Sequence, residues 1–206
     1  MKYCFGIPTL NRADLLNETL KKYVVDFPAR QFIIVDNGTQ DLLIHDNFLI
    51  VRPGRNLGVA ASWNLLARMS FERGFEAVII MNDDIYWGQK QDKADEFFDT
   101  CPDDSFIAAP PCWHTFVLPR KVFEKVGPLD ENFYPAYYED NDYCRRIALA
   151  GVPYIRSTFL NCEVFRLSQT ISKDSSILRG SRNEDYYVRK WGGGPHQEIY
   201  TKPFNQ

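Results

Sequence analysis

The sequence lacks the features that mark several large classes of protein. Its five cysteines form no C-x-x-C pair and are odd in number, so neither a zinc knuckle nor a fully paired disulfide framework is expected. No apolar stretch approaches the roughly 18 residues that a membrane-spanning helix needs. The first residues carry no signal-peptide pattern. We therefore expect no transmembrane segment and a location in the reducing cytoplasm.

An excess of charge of one sign is also missing. Lys and Arg number 24 and Asp and Glu number 27, which gives a net charge of −3. A surface-wide basic field for nucleic acid or anionic membrane is thereby excluded, and no nucleic-acid partner is expected. Hydrophobic residues make up 45% and charged residues 25% of the 206 positions, as in ordinary globular proteins. At roughly 100–200 residues per domain, this length predicts a single domain.

The spacing of apolar residues predicts alternating strands and helices. In the first half we predict strands over 3–7, 31–35, 48–51 and 77–81, with helices over 14–25 and 60–71. In the second half we predict strands over 106–109, 115–118 and 152–155, with helices over 120–126, 141–150 and 180–191. The alternation predicts an α/β fold. The unbroken apolar runs favour parallel strands that are covered on both faces.

Three of the predicted strands end in a polar cluster. These clusters are PTLNR at 8–12, DNGT at 36–39 and NDD at 82–84. Each one alone fits a turn or a helix cap equally well. In open α/β sheets, however, ligands bind at the carboxyl ends of the strands. Three such clusters along one edge therefore indicate a binding site.

Two acidic clusters are candidates for the chemistry of that site. Asp83 and Asp84 repel each other unless a cation or a donor lies between them, and a hard divalent ion that shares substrate phosphates fits this pair. An exposed acidic turn is the alternative. Glu139, Asp140 and Asp142 stand at the start of a predicted helix. They would either cap that helix or supply a general base near an acceptor hydroxyl.

In chain order these motifs resemble nucleotide-sugar glycosyltransferases of the GT-A fold, in the broad family 2 group. The matching stretches are IPTLNR, IIVDNGTQD, RNLGVAASWN, the Asp-x-Asp-like IIMNDDI, and FVLPRKVFEKVGPLDENFYPAYYEDNDYCRRIALAG, and they span about residues 3–155. The resemblance implies one Rossmann-like domain over 1–206, with a central, mostly parallel sheet flanked by helices. Residues 1–100 would form the nucleotide-binding half. Residues 101–206 would form the acceptor-binding half and a C-terminal loop.

The resemblance also implies roles on the donor side. Asp36 would accept hydrogen bonds from the base or the ribose, and Asp83 would lie near the ribose and the donor sugar. Asp84 would be the direct ligand of Mn²⁺ or Mg²⁺ on the diphosphate. The other residues implied in nucleotide binding are Thr9, Asn11, Arg12, Asn56, Gly58 and Asn64, the last as support for the loop that contains Asn56 and Gly58.

On the acceptor side, the resemblance implies that Asp140 deprotonates the acceptor hydroxyl and that Glu139 orients it. Trp113 and either Tyr137 or Tyr138 are predicted to pack against the acceptor, because aromatic faces suit the C–H faces of sugar rings.

The sequence departs from the family pattern at one metal ligand. Many relatives carry a His about twenty residues after the Glu-Asp pair, where this chain has Arg166, which would pair with phosphate instead. His196 is an alternative metal ligand or phosphate contact. Lys190, beside the glycines at 192–194, would help a loop to close over the diphosphate. A mobile terminal loop is the alternative for that segment.

The implied activity is an inverting, metal-assisted transfer of a sugar from a UDP- or dTDP-sugar to a glycan, lipid-linked or protein-linked acceptor. A nucleotidyltransferase of the same fold is an alternative. Such enzymes usually have a glycine-rich loop after the first strand, and the PTLNR sequence at that place weighs against this alternative. A non-catalytic nucleotide-sugar binding module is a further alternative. Transfer to modified DNA bases is disfavoured by the acidic net charge. This DNA-directed alternative stays open because several basic residues lie close together in the sequence: Arg179, Arg182, Arg189 and Lys190.

Overall fold

The structure, a computed structural model, describes residues 1–111, 113–164 and 181–206. Cys112, Arg166 and Arg179 lie outside these ranges, and with them the predicted phosphate contact of Arg166. No helix in the described ranges is long and apolar enough to cross a membrane.

A seven-stranded sheet forms the centre of the fold. The described residues form nine strands, seven of which belong to this sheet: β1 (Tyr3–Thr9), β2 (Phe32–Asp36), β3 (Phe48–Val51), β4 (Ala77–Met81), β5 (Ile85–Tyr86), β6 (Phe106–Ala108), β7 (Thr115–Pro119), β8 (Tyr154–Arg156) and β9 (Glu163–Val164). The sheet order is β3-β2-β1-β4-β7-β6-β8, and β5 pairs separately with β9. Strand β7 runs antiparallel to β4 and β6, whereas the other neighbouring pairs in the large sheet are parallel. The predicted α/β class with a mostly parallel central sheet is confirmed.

The described helices pack around this sheet. They are α1 (Ala13–Asp26), α2 (Val59–Glu72), α3 (Gln91–Thr100), α4 (Arg120–Val126), α5 (Glu139–Leu149) and α6 (Ser181–Trp191), with short 3₁₀ turns at Thr158–Leu160 and Pro203–Asn205. Strand β2 is buried along its whole length and supplies both core layers. Phe32 and Ile34 join the layer that contains residues of α1, and Ile33 and Val35 join the layer that contains residues of α2. This two-sided burial explains the unbroken apolar runs.

Two helices differ from the sequence-based prediction. Helix α3 was not predicted, because its charged sequence buries only Ala94 and Phe98, too narrow a stripe to stand out as an amphipathic pattern. Helix α5 begins at Glu139, two residues before the predicted start at 141. The Glu-Asp pair therefore lies inside the first helical turn, where carboxylates interact favourably with the helix dipole.

Candidate active site

A cleft of about 180 Å³ lies at the carboxyl ends of the central strands. Each of the three polar clusters contributes residues to the wall of the cleft. Thr9 is the last residue of β1, Asn37 directly follows β2, and Asp83 and Asp84 come just after β4. The start of α2 and the segment Pro135–Ala136 close the remaining sides. The clusters meet because β1 pairs in parallel with both β2 and β4, so that the three strands end at the same edge.

Hydrogen bonds connect the three strand ends. The Thr9 hydroxyl donates to Asp83 Oδ2 over 2.7 Å. The side-chain amide of Gln40 donates to Thr9 Oγ1 over 3.1 Å and to Asp36 Oδ1 over 3.0 Å. Burial raises the pKa of Asp83 to about 6, and the charge of Asp84 adds to this, whereas the Thr9 hydrogen bond and the charge of Arg12 oppose it. The cleft therefore holds a crowded carboxylate pair that a cation would stabilise.

Asp36 is buried and surrounded by donors from its own side of the sheet. Its Oδ1 accepts from the Gly38 backbone N–H over 3.0 Å, and its Oδ2 accepts from Arg52 Nε over 3.0 Å. Asp36 does not line the cleft, so in this structure its carboxylate orders the loop after β2. A contact with the base stays a prediction. Arg52 and Gln40 were missed in the sequence, because nothing in their local pattern shows that they fold back onto β2.

The first loop packs tightly against that second loop. Asn11 has a positive φ of 53°, and a Cβ added at Gly38 would lie 2.1 Å from Asn11 Oδ1. Only glycine therefore fits at position 38 with Asn11 in this place. Arg12 Nε lies 3.3 Å from Asp14 Oδ1. Neither Asn11 nor Arg12 lines the cleft, although Asn11 directly follows the lining residue Leu10.

Two asparagines hold the start of α2 against the cleft. Asn56 Oδ1 accepts from the Gly58 N–H over 2.9 Å, and Asn37 Oδ1 accepts from the Leu57 N–H over 2.9 Å. Asn37 Nδ2 also donates to the hydroxyl of Ser62 over 2.9 Å. Asn37, Asn56, Gly58 and Ser62 all line the cleft. The local sequence pattern did not identify Ser62.

Asn64 supports a different segment from the one predicted. Its Nδ2 donates to the Leu129 carbonyl over 2.9 Å and to Glu131 Oε1 over 2.8 Å, and its Oδ1 accepts from the Leu129 N–H over 2.8 Å. Asn64 thus fixes the chain just before Pro135, rather than the loop of Asn56 and Gly58. Because Pro135 lines the cleft, this support still shapes the site.

The second acidic cluster begins α5, three residues beyond the cleft wall at Ala136. Glu139 is only 6% exposed, and its Oε2 has no hydrogen-bond partner in the described ranges. Burial, together with the nearby charge of Asp140, raises the pKa of Glu139 to about 8. Burial also raises the pKa of Asp140, although the Asn141 N–H donates to its Oδ1 over 2.8 Å and opposes the shift. Carboxyl groups with raised pKa values are suited to proton transfer near neutral pH.

The third acid of this cluster is structural. Asp142 is fully buried and accepts from Arg146 Nε over 3.0 Å and from Trp191 Nε1 over 2.8 Å. Lys190 Nζ lies 2.6 Å from Asp142 Oδ1 and 2.7 Å from Asp130 Oδ2. The prediction that Lys190 covers the diphosphate therefore differs from the structure, in which the residue is 5% exposed and its ammonium is paired inside the fold.

The other predicted residues are spread more widely. Trp113 was expected at the acceptor, but it is buried. Its ring centroid lies 4.5 Å from that of Phe106, and its Nε1 donates to the Tyr154 hydroxyl over 3.0 Å. Tyr138 packs 5.6 Å from Tyr187, whereas Tyr137 is 37% exposed and available to a ligand. His196 is exposed and has a φ of 66°.

The donor set at β4 suits a divalent ion that is shared with a ligand. Within the described ranges no three His, Cys, Asp or Glu side chains come together as a metal-binding group, so His196 and Asp84 do not belong to such a group. Mg²⁺ is commonly held by one or two carboxylates together with substrate phosphates. The adjacent carboxylates of Asp83 and Asp84 on the cleft wall fit that arrangement.

Comparisons with known proteins define the class of fold. No family model matches the sequence. A stretch of 37 residues is 54% identical to part of a galactofuranosyl glycosyltransferase of Leishmania donovani. This stretch makes up 18% of the present chain and 8% of that protein. Among solved structures, S. aureus TarS superposes with a TM-score of 0.55 at 13% identity, covering 76% of this chain and 37% of TarS. A nucleotide-diphospho-sugar transferase of Desulfovibrio desulfuricans G20 gives a TM-score of 0.53 at 8% identity, covering 76% of this chain and 80% of that one.

The chain shares its GT-A-like fold with these solved structures, and the resemblance read from its motifs is thereby confirmed at the level of fold. It spans only a small part of the L. donovani protein and 37% of TarS.

Proposed function

We propose that this chain is a glycosyltransferase that moves a sugar from a nucleoside diphosphate sugar to an acceptor hydroxyl. The observation that carries the proposal is the cleft where three strand ends meet beside Asp83 and Asp84. Nucleotide-diphospho-sugar transferases share the fold, and a short stretch matches a galactofuranosyl glycosyltransferase.

On the donor side, Thr9, Asn37 and Asn56 face the nucleotide of a UDP- or dTDP-sugar along the cleft. Asp84, with Asp83 beside it, would hold Mn²⁺ or Mg²⁺ on the diphosphate. A bound divalent ion neutralises the negative charge that grows on the departing diphosphate. The Thr9 hydroxyl, which donates to Asp83 Oδ2, holds the Asp83 carboxylate in place beside Asp84.

On the acceptor side, Asp140 acts as the general base and Glu139 orients the hydroxyl. The acceptor oxygen bonds to the anomeric carbon as its proton passes to the Asp140 carboxylate, and the bond from that carbon to the diphosphate breaks. A single displacement of this kind inverts the anomeric centre and needs no covalent nucleophile. The exposed ring of Tyr137 offers a face to a sugar of a glycan, lipid-linked or protein-linked acceptor.

The test is a screen of UDP- and dTDP-sugars with Mn²⁺, read first by thermal shift and then by release of nucleotide. A ligand that binds the native state raises stability by RT ln(1 + [L]/Kd), so the correct donor stands out. A transferase also hydrolyses its donor slowly. Nucleotide binding with neither hydrolysis nor transfer would identify a binding module instead.

Asp84→Ala should abolish metal-dependent nucleotide binding and transfer while the chain stays folded, because one of the two proposed oxygen ligands is lost. Calorimetry with and without Mn²⁺ measures this, and the affinity of the variant should equal that of the wild type without metal. Asp103→Ala is the matched control, because Asp103 is a half-exposed carboxylate paired with Lys121 away from the cleft. A Mn²⁺ effect that survives in Asp84→Ala would overturn the metal assignment.

A further inference from the structure

Helix α6 is hydrogen-bonded to the segment 136–138, which leads from the cleft into α5. Asn183, in the first turn of α6, is buried with only 5% of its surface exposed. Its side-chain amide donates to the carbonyl of Ala136 over 2.8 Å and to the carbonyl of Tyr137 over 3.2 Å. Ala136 lines the cleft, so one amide group reaches from α6 to the wall of the site.

The segment 136–138 contains two residues with positive φ angles. Tyr137 and Tyr138 both lie in the left-handed region, with φ values of 78° and 70°. Two consecutive non-glycine residues in this region are costly, and they persist only where their surroundings hold them in place. Because Glu139 and Asp140 follow directly, the direction of both side chains depends on these two tyrosines.

Backbone hydrogen bonds also fix the chain just before and just after the two carbonyls that Asn183 contacts. The Val59 N–H at the start of α2 donates to the Pro135 carbonyl over 2.8 Å, which fixes the segment from the nucleotide side. The Asp142 N–H donates to the Tyr138 carbonyl over 2.9 Å and closes the first turn of α5. Asn183 supplies the support between these two points, at the carbonyls of residues 136 and 137.

We propose that Asn183 is a positioning residue for the acceptor chemistry: by holding the carbonyls of Ala136 and Tyr137, it sets the orientation of Glu139 and Asp140 toward the cleft. This inference rests on the proposed function. A residue that merely stabilised α6 would affect the free energy of unfolding but not the turnover of the folded enzyme.

The experiment compares Asn183→Ala with Tyr187→Phe. Tyr187 lies in the same helix, and its hydroxyl donates to Glu198, so the control also removes one side-chain hydrogen bond of α6, while the ring that remains keeps its contact with Tyr138. In Asn183→Ala, kcat for transfer should fall by about 10- to 100-fold, the usual cost of a small misplacement of catalytic groups. The Kd for the donor nucleotide should stay within about twofold. Tyr187→Phe should keep the wild-type kcat.

Hydrogen exchange provides a second measurement that does not depend on activity. Loss of the Asn183 amide should speed the exchange of the Asp142 N–H, whereas Tyr187→Phe should leave it unchanged. Equal exchange and equal kcat in the two variants would overturn the inference. If the wild-type protein binds nucleotide but transfers no sugar, the proposed function fails. The exchange rates alone then decide whether Asn183 positions the start of α5.

Discussion

At the scale of single residues, the buried carboxylates divide according to their partners. Asp36 and Asp142 are each surrounded by three donors and hold loops and helices in place. Glu139 has one carboxylate oxygen without a partner in the described part of the chain. Buried titratable groups that lack full compensation and lie near a cleft are the ones expected to take part in chemistry.

Replacement of the proposed base tests this division. Asp140→Asn keeps the shape of the side chain but cannot accept the proton, so turnover should fall by about 10²–10⁴. Nucleotide affinity should barely change, because the base acts on the acceptor. Steady-state kinetics together with calorimetry would measure both quantities. Glu139→Gln should lower turnover less than Asp140→Asn does, because Glu139 only orients the hydroxyl. Near-normal turnover in Asp140→Asn would contradict the assignment and identify Glu139 as the base.

Glu139 should also make stability depend on pH. Its pKa rises from 4.5 to about 8 in the folded chain. Between these values the folded state keeps a proton that the unfolded state releases, so this group's contribution to the free energy of unfolding falls as the pH rises. At pH 8.5, Glu139→Gln should be more stable than the wild type by roughly 1–3 kcal/mol, the usual penalty of a buried polar group without a partner. At pH 4.5 the two proteins should differ less. Urea unfolding at both pH values measures the gap, and a gap that is independent of pH would contradict the assignment.

At the scale of elements, the cleft depends on close contact between the start of α2 and the segment before α5. Gly58 has a φ of +78°, and a Cβ there would lie 2.8 Å from Tyr134 Cδ2 and 2.9 Å from the Pro135 carbonyl oxygen. The glycine therefore permits both the positive φ at the start of α2 and the approach of the neighbouring segment. A larger residue would push the two walls of the cleft apart.

Gly58→Ala should destabilise the fold and weaken nucleotide binding. Gly74→Ala provides a matched control, because Gly74 has a φ of +79° but nothing within 4 Å of an added Cβ. Gly74→Ala should lose about 1–2 kcal/mol of stability from its positive φ. Gly58→Ala should lose more, because of the clash, and it alone should bind nucleotide less tightly. Denaturant unfolding and calorimetry measure the two effects. Equal losses with unchanged affinity would show that the contact with Tyr134 and Pro135 does not matter.

At the scale of the whole molecule, buried ion pairs attach α6 to the rest of the fold. Lys190 reaches both Asp142 in α5 and Asp130 in the preceding segment, and Trp191 donates to the same Asp142. A buried charge is tolerated only when such partners surround it. This arrangement makes the C-terminal helix part of the folding unit that carries Glu139 and Asp140.

Lys190→Met should therefore cost about 3–5 kcal/mol, since it leaves two acids without their cation in a buried setting. Lys121→Met removes an exposed lysine paired with Asp103 over 2.7 Å and should cost only about 0–1 kcal/mol. Urea unfolding of the two variants measures the difference. If the losses were equal, the buried pairs would not be what joins α6 to the fold.

The sequence by itself determined the α/β class, the four strands that the first half contributes to the large sheet, and the meeting of three polar clusters at one edge. These features follow from local patterns, because an apolar run reports a buried strand and parallel neighbours bring their carboxyl ends together. It did not reveal α3, where only Ala94 and Phe98 are buried, or the start of α5 at Glu139.

Only the tertiary structure decided which charged and aromatic side chains face the cleft. Lys190 was expected over the diphosphate, yet it pairs with Asp130, 60 positions away in the chain. Trp113 was expected at the acceptor, yet it lies in the core. Asn183 showed no local pattern, and its partners lie 47 and 46 positions away. Periodicity reports which face of an element is buried, but the partner of a buried polar group is set by contacts between distant segments that no local pattern encodes.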